Sequence, residues 1–282
     1  MRIPKRNLSR DDNQFPLYPY VYDLSALSAD EVLVARGPAG LRAVSLHNAQ
    51  HVAHEPTALQ YTSPPHVNRV AFDTHTDTLL LLVWVPCDYY TGHYYQLVSL
   101  RRNASEWLEM QRLGTIIHNK FNFAVCDSRV LLVDRGWNTM YVFDVSAEHT
   151  LRDEGNVTWQ SSFHRVACTR RDGVTIVAFS HNTSVSLLRL TLLPLRLEPL
   201  ASVSLIAPRP LLFRGDLLLV ADWNRATNTS AIVSFRVSGN ALTERRVLLD
   251  ALPGVLLHWA LAGDRLVLWN WKSEELLVYA FT

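Results

Sequence analysis

The sequence predicts an all-β chain of six small antiparallel sheets arranged as a propeller, and three observations carry the prediction. One short pattern returns six times, each copy an apolar run introduced by a polar or glycine-containing turn: DEVLVAR (30–36), DTLLLLVW (77–84), SRVLLVD (128–134), DGVTIVAF (172–179), GDLLLVAD (215–222) and GDRLVLWN (263–270). The first apolar residues of these runs, Val32, Leu79, Val130, Val174, Leu217 and Leu266, are 47, 51, 44, 43 and 49 residues apart. A period of about 40 to 50 residues built from short strands marks a propeller, in which no unit can bury its own faces alone. Helix signal is also thin: no amphipathic stretch of helical length separates the runs, which argues against a doubly wound α/β fold.

Each element follows from this frame. After each anchor comes a second run with strand alternation, such as MYVFDVS (140–146), SVSLLRLTL (184–192), TSAIVSFRVS (229–238) and ELLVYAF (275–281), so anchor and follower form a hairpin. Two further strands fit in each unit. In the third these are NFAVCDS (122–128) and NVTWQSS (156–162); in the fifth, RPLLFRG and ALTERRVLLDA. The segment SEWLEMQRL (105–113) suits two helical turns or an outer strand equally. The last unit holds VLLHWALAG (255–263), its anchor and ELLVYAFT, and so lacks a fourth strand. An N-terminal segment before Leu24, within RIPKRNLS or around LYPYVYDL, is expected to complete it and remove two exposed sheet edges. Leu80, Leu82, Leu132, Val177, Leu218, Val220 and Val267 are expected between blades. Seven blades would need a disguised unit, with slack only in residues 50–70 or 90–115. Residues 1–282 are read as a single propeller domain.

The clusters LLVDRGWNTMYVFDV, LLLVADWNRATNTSAIVSFRV and LVLWNWKSEELLVYAF resemble WD40-like propeller blades. The resemblance is one of architecture over residues 25–282, because strand c closes in FDV, FRV or YAF where that family has Trp-Asp, and its Gly-His pair is missing. The fifth and sixth units are also similar to propeller regions that follow an F-box in some fungal proteins, through the GDLLLV run and the Trp269-Asn270-Trp271-Lys272 turn. No F-box precedes the first unit in this sequence, so a ubiquitin-ligase role is not carried over.

Composition limits the function. Charged residues are 19% and the formal net charge is +1, which gives no global pull toward nucleic acid or an anionic membrane. The apolar runs are strand-sized, so neither a membrane span nor a membrane partner is expected. Cys87, Cys126 and Cys168 form an odd, sparse set and read as buried thiols in a reducing compartment, which places the chain in the cytoplasm or nucleus. Five N-x-S/T triplets, at Asn7, Asn103, Asn156, Asn182 and Asn228, keep a secreted form open, although these are also ordinary turn residues. The monomer is the default state.

Two sets of candidate site residues emerge. The first is a rim. The insertion VPCDYYTGHYYQL crowds Tyr89, Tyr90, His93 and Tyr94 around Gly92, and Trp137, Trp223 and Trp271 occupy equivalent b–c turns. Tyrosine and tryptophan are typical contact residues, so this rim suits a protein or peptide partner. The opposing reading has Asp134 and Asp222 cap the turns and the indoles fill gaps between blades. The second set is a tunnel. Six-bladed lactonases, which share this number of blades, hold a calcium on Glu, Asn and Asp of their innermost strands. Here Asn68, Asp73, Asn122 and Asp127 could supply oxygens and His164 and His258 could act as bases, but those strands carry no glutamate. The local cluster His47, His51 and His54 follows a strand and lacks the geometry of a zinc site. There is no phosphate loop, G-x-S-x-G elbow, C-x-x-C or H-E-x-x-H. A non-catalytic binding scaffold without metal or cofactor is therefore expected, with a calcium-dependent lactone or ester hydrolase as the alternative.

Overall fold

A computed structural model describes residues 6–8, 21–36, 40–46, 51–52, 66–86, 93–103, 106–117, 121–134, 136–159, 163–270 and 275–281. They form six four-stranded antiparallel sheets, the six blades of a propeller. A short strand, β1 (Arg6–Leu8), stands outside the serial order. The first blade is β2 (Asp23–Ala26), β3 (Glu31–Ala35), β4 (Leu41–Ser45) and β5 (His51–Val52). The second is β6 (His66–Asp73), β7 (Thr78–Pro86), β8 (His93–Asn103) and β9 (Glu106–Ile117). The third is β10 (Phe121–Cys126), β11 (Arg129–Asp134), β12 (Thr139–Val145) and β13 (Leu151–Thr158). The fourth is β14 (Arg165–Arg171), β15 (Val174–Ser180), β16 (Ser184–Leu192) and β17 (Leu195–Ser204). The fifth is β18 (Pro208–Arg214), β19 (Leu217–Asn224), β20 (Thr229–Ser238) and β21 (Ala241–Pro253). The last is β22 (Leu256–Ala262), β23 (Arg265–Asn270) and β24 (Glu275–Ala280), with β1 on its outer edge.

All six anchors lie on the second strand of their blade. Such a strand is covered on both faces, which is why its sequence is a continuous apolar run and not an alternation. Every residue of β11 is buried. Leu80, Leu82, Leu132, Val177, Leu218, Val220 and Val267 are all fully enclosed, as expected. The fourth strands are the opposite case. Glu244, Arg245, Arg246 and Asp250 of β21 are exposed and its pairing with β20 is interrupted by bulges, two devices that protect an outer edge from pairing with another chain.

The N-terminal segment completes the last blade: Arg6, Asn7 and Leu8 pair with Val278, Leu277 and Leu276. The alternative around LYPYVYDL falls partly on residues 17–20, outside the described set, and its end, Asp23–Leu24, belongs to β2 of the first blade. From Glu106 onward the SEWLEMQRL segment is strand, with Trp107 of β9 buried. The outer strand of the third blade begins at Leu151, five residues before the expected NVTWQSS. Two-residue turns join the first hairpins of the third and fourth blades. Asp172 and Gly173 have φ of 50° and 76°, and Asp127 and Ser128 have 45° and 64°. Positive φ at both central residues is the turn geometry that matches strand twist.

The thiol expectation needs correction. Cys126 of β10 and Cys168 of β14 form a disulfide, with their Cα atoms 5.7 Å apart. They sit on the first strands of consecutive blades, a pairing that sequence spacing cannot reveal because 42 residues separate them.

The chain gathers into two compact units. One comprises Met1–Asn119, Val145–Leu151 and His258–Thr282; the other comprises Lys120–Asp144 and Arg152–Leu257. The first unit has two apolar clusters, one around Leu33, Leu81 and Trp107 and one around Val34, Val267 and Val278. The second also has two, centred on the stacked Phe163 and Phe179 and on Val220 with Phe235.

Candidate functional site

Two groups of polar and aromatic side chains stand out, one in each unit. In the first unit, Asp23 of β2, Arg69 of β6 and His258 of β22 converge from the first strands of their blades. Asp23 Oδ1 lies 3.2 Å from His258 Nδ1, and the Arg69 guanidinium lies 3.3 Å from the same nitrogen. Arg69 also donates to the Tyr22 carbonyl at 2.5 Å, and Asp23 Oδ2 accepts the Val70 N–H at 3.1 Å. A bulge between Val67 and Arg69 makes this possible, because the extra residue, Asn68, shifts which side chain turns toward β2.

Burial pushes the Asp23 carboxyl upward, but the hydrogen bond from His258, the Arg69 guanidinium and the Val70 N–H outweigh it and hold the pKa below the ordinary aspartate value. The group is therefore a carboxylate. A bare imidazole lone pair facing it would be repelled, so the proton belongs on Nδ1 of His258. Close by, burial raises the Tyr95 phenol while Arg69 pulls it the other way, and burial lowers His66, whose ring meets Trp84 edge-on at 4.4 Å.

The bonding pattern is that of a clasp. Ser25 accepts the Phe72 N–H at 3.0 Å, just as Asp23 accepts that of Val70. Alternate N–H groups of β6, which has no strand on its inner side, thus find partners in side chains of β2. Asp23 is 21% exposed at its side chain, Arg69 15% and His258 8%, so the cluster is largely enclosed.

The remaining tunnel candidates do not join it. Asp73 is buried and caps its own turn, accepting from the His75 N–H at 3.2 Å and the Thr76 hydroxyl at 2.6 Å. Asn122 donates to the His164 carbonyl at 2.5 Å and accepts from Arg165. His164 pairs through Nε2 with Asn182 Oδ1 at 2.5 Å. Asp127 is an exposed turn residue at the far end of β10 from Asn122. Asn68 and Asp73 likewise occupy opposite halves of β6, so the four oxygen-bearing candidates do not converge as a calcium cage needs. Among the described residues no three His, Cys, Asp or Glu side chains gather as metal ligands. Of the six candidates only His258 lies in the clasp, and its partners Asp23 and Arg69 escaped the sequence reading. An Asp and an Arg about 46 residues apart at matching places in two first strands were the available signal.

The second group lies at the b–c end of the second unit. Trp137 is 63% exposed, on a turn fixed by Asp134, which accepts from the Gly136 N–H at 2.7 Å and the Trp137 N–H at 3.3 Å. The capping role expected of Asp134 is present, while an indole wedged between blades is not. Asp222 works differently: it reaches across to the loop before β18 and accepts the N–H groups of Ile206 and Ala207 at 3.0 and 2.8 Å. Asn224 makes the turn cap there, accepting from the Ala226 N–H at 3.0 Å. Trp223 is half-buried with a guanidinium over its ring from Arg209 at 5.3 Å and another from Arg225 at 5.2 Å. Tyr89, Tyr90 and Trp271 lie outside the described residues; His93 and Tyr94 lie on β8, with their side chains outside the description.

No family model matches the chain, and no curated protein matches it. Solved structures do. The WD40 repeats of RRP9 are 12% identical with a TM-score of 0.62, over 100% of this chain and 99% of that one. A β-propeller domain from Myceliophteria thermophila gives 11% identity and a TM-score of 0.54 over 93% and 84% of the two chains. The chain belongs in architecture with the propellers, WD40 repeats among them. The PQQ-bound aldose sugar dehydrogenase of Streptomyces coelicolor is similar to the same degree, with 11% identity and a TM-score of 0.56 over 99% of each chain. Binding and catalytic propellers match alike, so the likeness is one of fold. No helix of the described residues is long and apolar enough to cross a membrane.

Proposed function

We propose that this chain is a non-catalytic interaction module that binds a protein or peptide at the b–c end of its second unit. Trp137 carries the reading. A large indole that is 63% exposed, on a turn held by two bonds to Asp134, is a rigid aromatic anchor already in place before a partner arrives. Ile206, 57% exposed in a loop at the same end of its blade, adds apolar surface on a backbone that Asp222 holds. The insertion bearing Tyr89, Tyr90, His93 and Tyr94 remains part of the proposal as a second contact region.

The hydrolase alternative has less support, because Asp73 is engaged in a turn cap, Asn122 in inter-strand bonds, and the four oxygen-bearing candidates do not converge. The Asp23–His258 pair has the form of an oriented base, but its bonds and those of Arg69 tie first strands together, which suits a structural clasp. Affinity capture with the wild type and the Trp137→Ala variant, with partners identified by mass spectrometry, tests the reading. A specific partner bound by the wild type and lost from the folded variant is expected. A variant that is folded and keeps every partner would remove the anchor and the reading with it.

A further inference from the structure

The end of the fifth blade presents an unbalanced charge arrangement. Arg209 and Arg225 lie over one indole, that of Trp223, at 5.3 and 5.2 Å from its centroid. Among the described residues neither guanidinium has a carboxylate partner. The nearest acid in sequence, Asp222, is turned toward the N–H groups of Ile206 and Ala207. Arg209 Nε and Trp223 Nε1 are buried without a hydrogen-bond partner. Two cations sharing one ring repel each other, and burial adds to the cost of the first; both effects lower the Arg209 pKa. The face of an indole offsets part of this cost, on the order of 0.5 to 2 kcal/mol per cation. An anion beside these guanidinium groups would offset the repulsion and supply acceptors for their N–H donors. Beside this charge stands Ile206, exposed and held by Asp222, with the Trp223 backbone N–H donating to the Ala207 carbonyl at 3.2 Å.

We propose that Arg209, Trp223 and Arg225 form a recognition site for an acidic residue of a bound peptide, with Ile206 taking an apolar residue next to it. This rests on the interaction-module reading and names the chemistry of its partner. The site favours a carboxylate over a neutral amide, because only the charged group offsets the uncompensated guanidinium charge. It favours an acidic–apolar sequence over a run of acids, because the ring and Ile206 give the neighbouring residue an apolar surface.

The test uses the full chain and two labelled octapeptides, one of alternating Glu and Leu and one with Gln replacing Glu, followed by fluorescence anisotropy. The Glu peptide should bind at least about tenfold more tightly, and its affinity should fall with added salt. Arg225→Gln, at an exposed position, should weaken it by about tenfold without lowering Tm; Arg209→Gln should do the same where that variant folds. Equal binding of the two peptides, or a folded Arg225→Gln variant that binds like wild type, overturns the proposal. Sodium phosphate should compete no better than sodium chloride at equal ionic strength. Stronger competition by phosphate would reassign the site to a phosphate group and overturn the carboxylate assignment. The two readings separate cleanly. If Trp137→Ala loses its partner while Arg225→Gln keeps the Glu peptide, the anion site fails and the module stands. If Arg225→Gln loses the peptide while Trp137→Ala keeps every partner, the Trp137 anchor fails and the anion site stands.

Discussion

Asp23 shows how a single charge can serve a strand that has no neighbour on one side. Its carboxylate accepts from Val70 and lies beside the His258 imidazole and the Arg69 guanidinium. Asp23→Asn removes the charge that the Arg69 guanidinium and the His258 ring N–H answer, and should cost about 1 to 3 kcal/mol. The pH dependence has a definite sign. The folded carboxyl binds its proton less readily than the unfolded one, whose value is 3.8, so its contribution is present above that value and lost as pH falls through the lower folded one. Thermal melts of wild type and variant across acidic pH should therefore converge as the wild type loses that contribution; a constant difference would show that the carboxylate charge is not the source. Trp137→Ala is the contrasting case. Most of the ring is in water, so stability should change by no more than about 0.5 kcal/mol by urea unfolding. A loss of several kcal/mol would mean that the ring is packed as core.

At the scale of elements, β10 and β14 are joined covalently. The Cys126–Cys168 disulfide closes a loop of 42 residues in sequence separation, and constraint of the unfolded chain predicts a contribution of about 2 to 4 kcal/mol. The chain has three cysteines, so thiol titration of unfolded, unreduced protein should find one thiol per chain and reduction should release two more. Three thiols before reduction would refute the bond. The melting temperature should fall on reduction. Because such bonds persist in oxidising compartments, the disulfide favours a secreted form over the cytoplasmic or nuclear location that the cysteine count suggested. The exposed Asn156, Asn182 and Asn228, each opening an N-x-S/T triplet, are compatible with that location, which we propose on the strength of the disulfide.

For the whole molecule, three residues of β1 supply the fourth strand of a blade whose other strands come from the end of the chain. Deleting residues 1–8 uncovers the edge of β24, which holds Leu276, Leu277, Val278 and Tyr279 in the interior. We expect a cost of about 1 to 3 kcal/mol and concentration-dependent association through the new edge, read by calorimetry and light scattering. Unchanged melting and a monodisperse truncated protein would show that the strand does not secure the blade.

The sequence by itself pointed to six blades without excluding a seventh, and determined the second strand of every blade. Strands covered on both faces demand unbroken apolar runs such as VLLV at 130–133, and that signal is local and repeated. It also expected Trp137 and Trp223 on equivalent turns with the same fate, whereas Trp137 is in a turn and Trp223 lies within β19, paired with Ser230. Only the tertiary structure separated them, leaving one ring in water and bringing the guanidinium groups of Arg209 and Arg225 over the other. The clasp was legible in one residue of three, since His258 was singled out while Asp23 and Arg69 were not. A one-residue bulge at Asn68 decided which side chain of β6 reaches β2, and bulges leave no periodic trace. The disulfide escaped for the same reason: it depends on two first strands lying side by side, and a pattern of residues along the chain carries no record of which strands become neighbours in space.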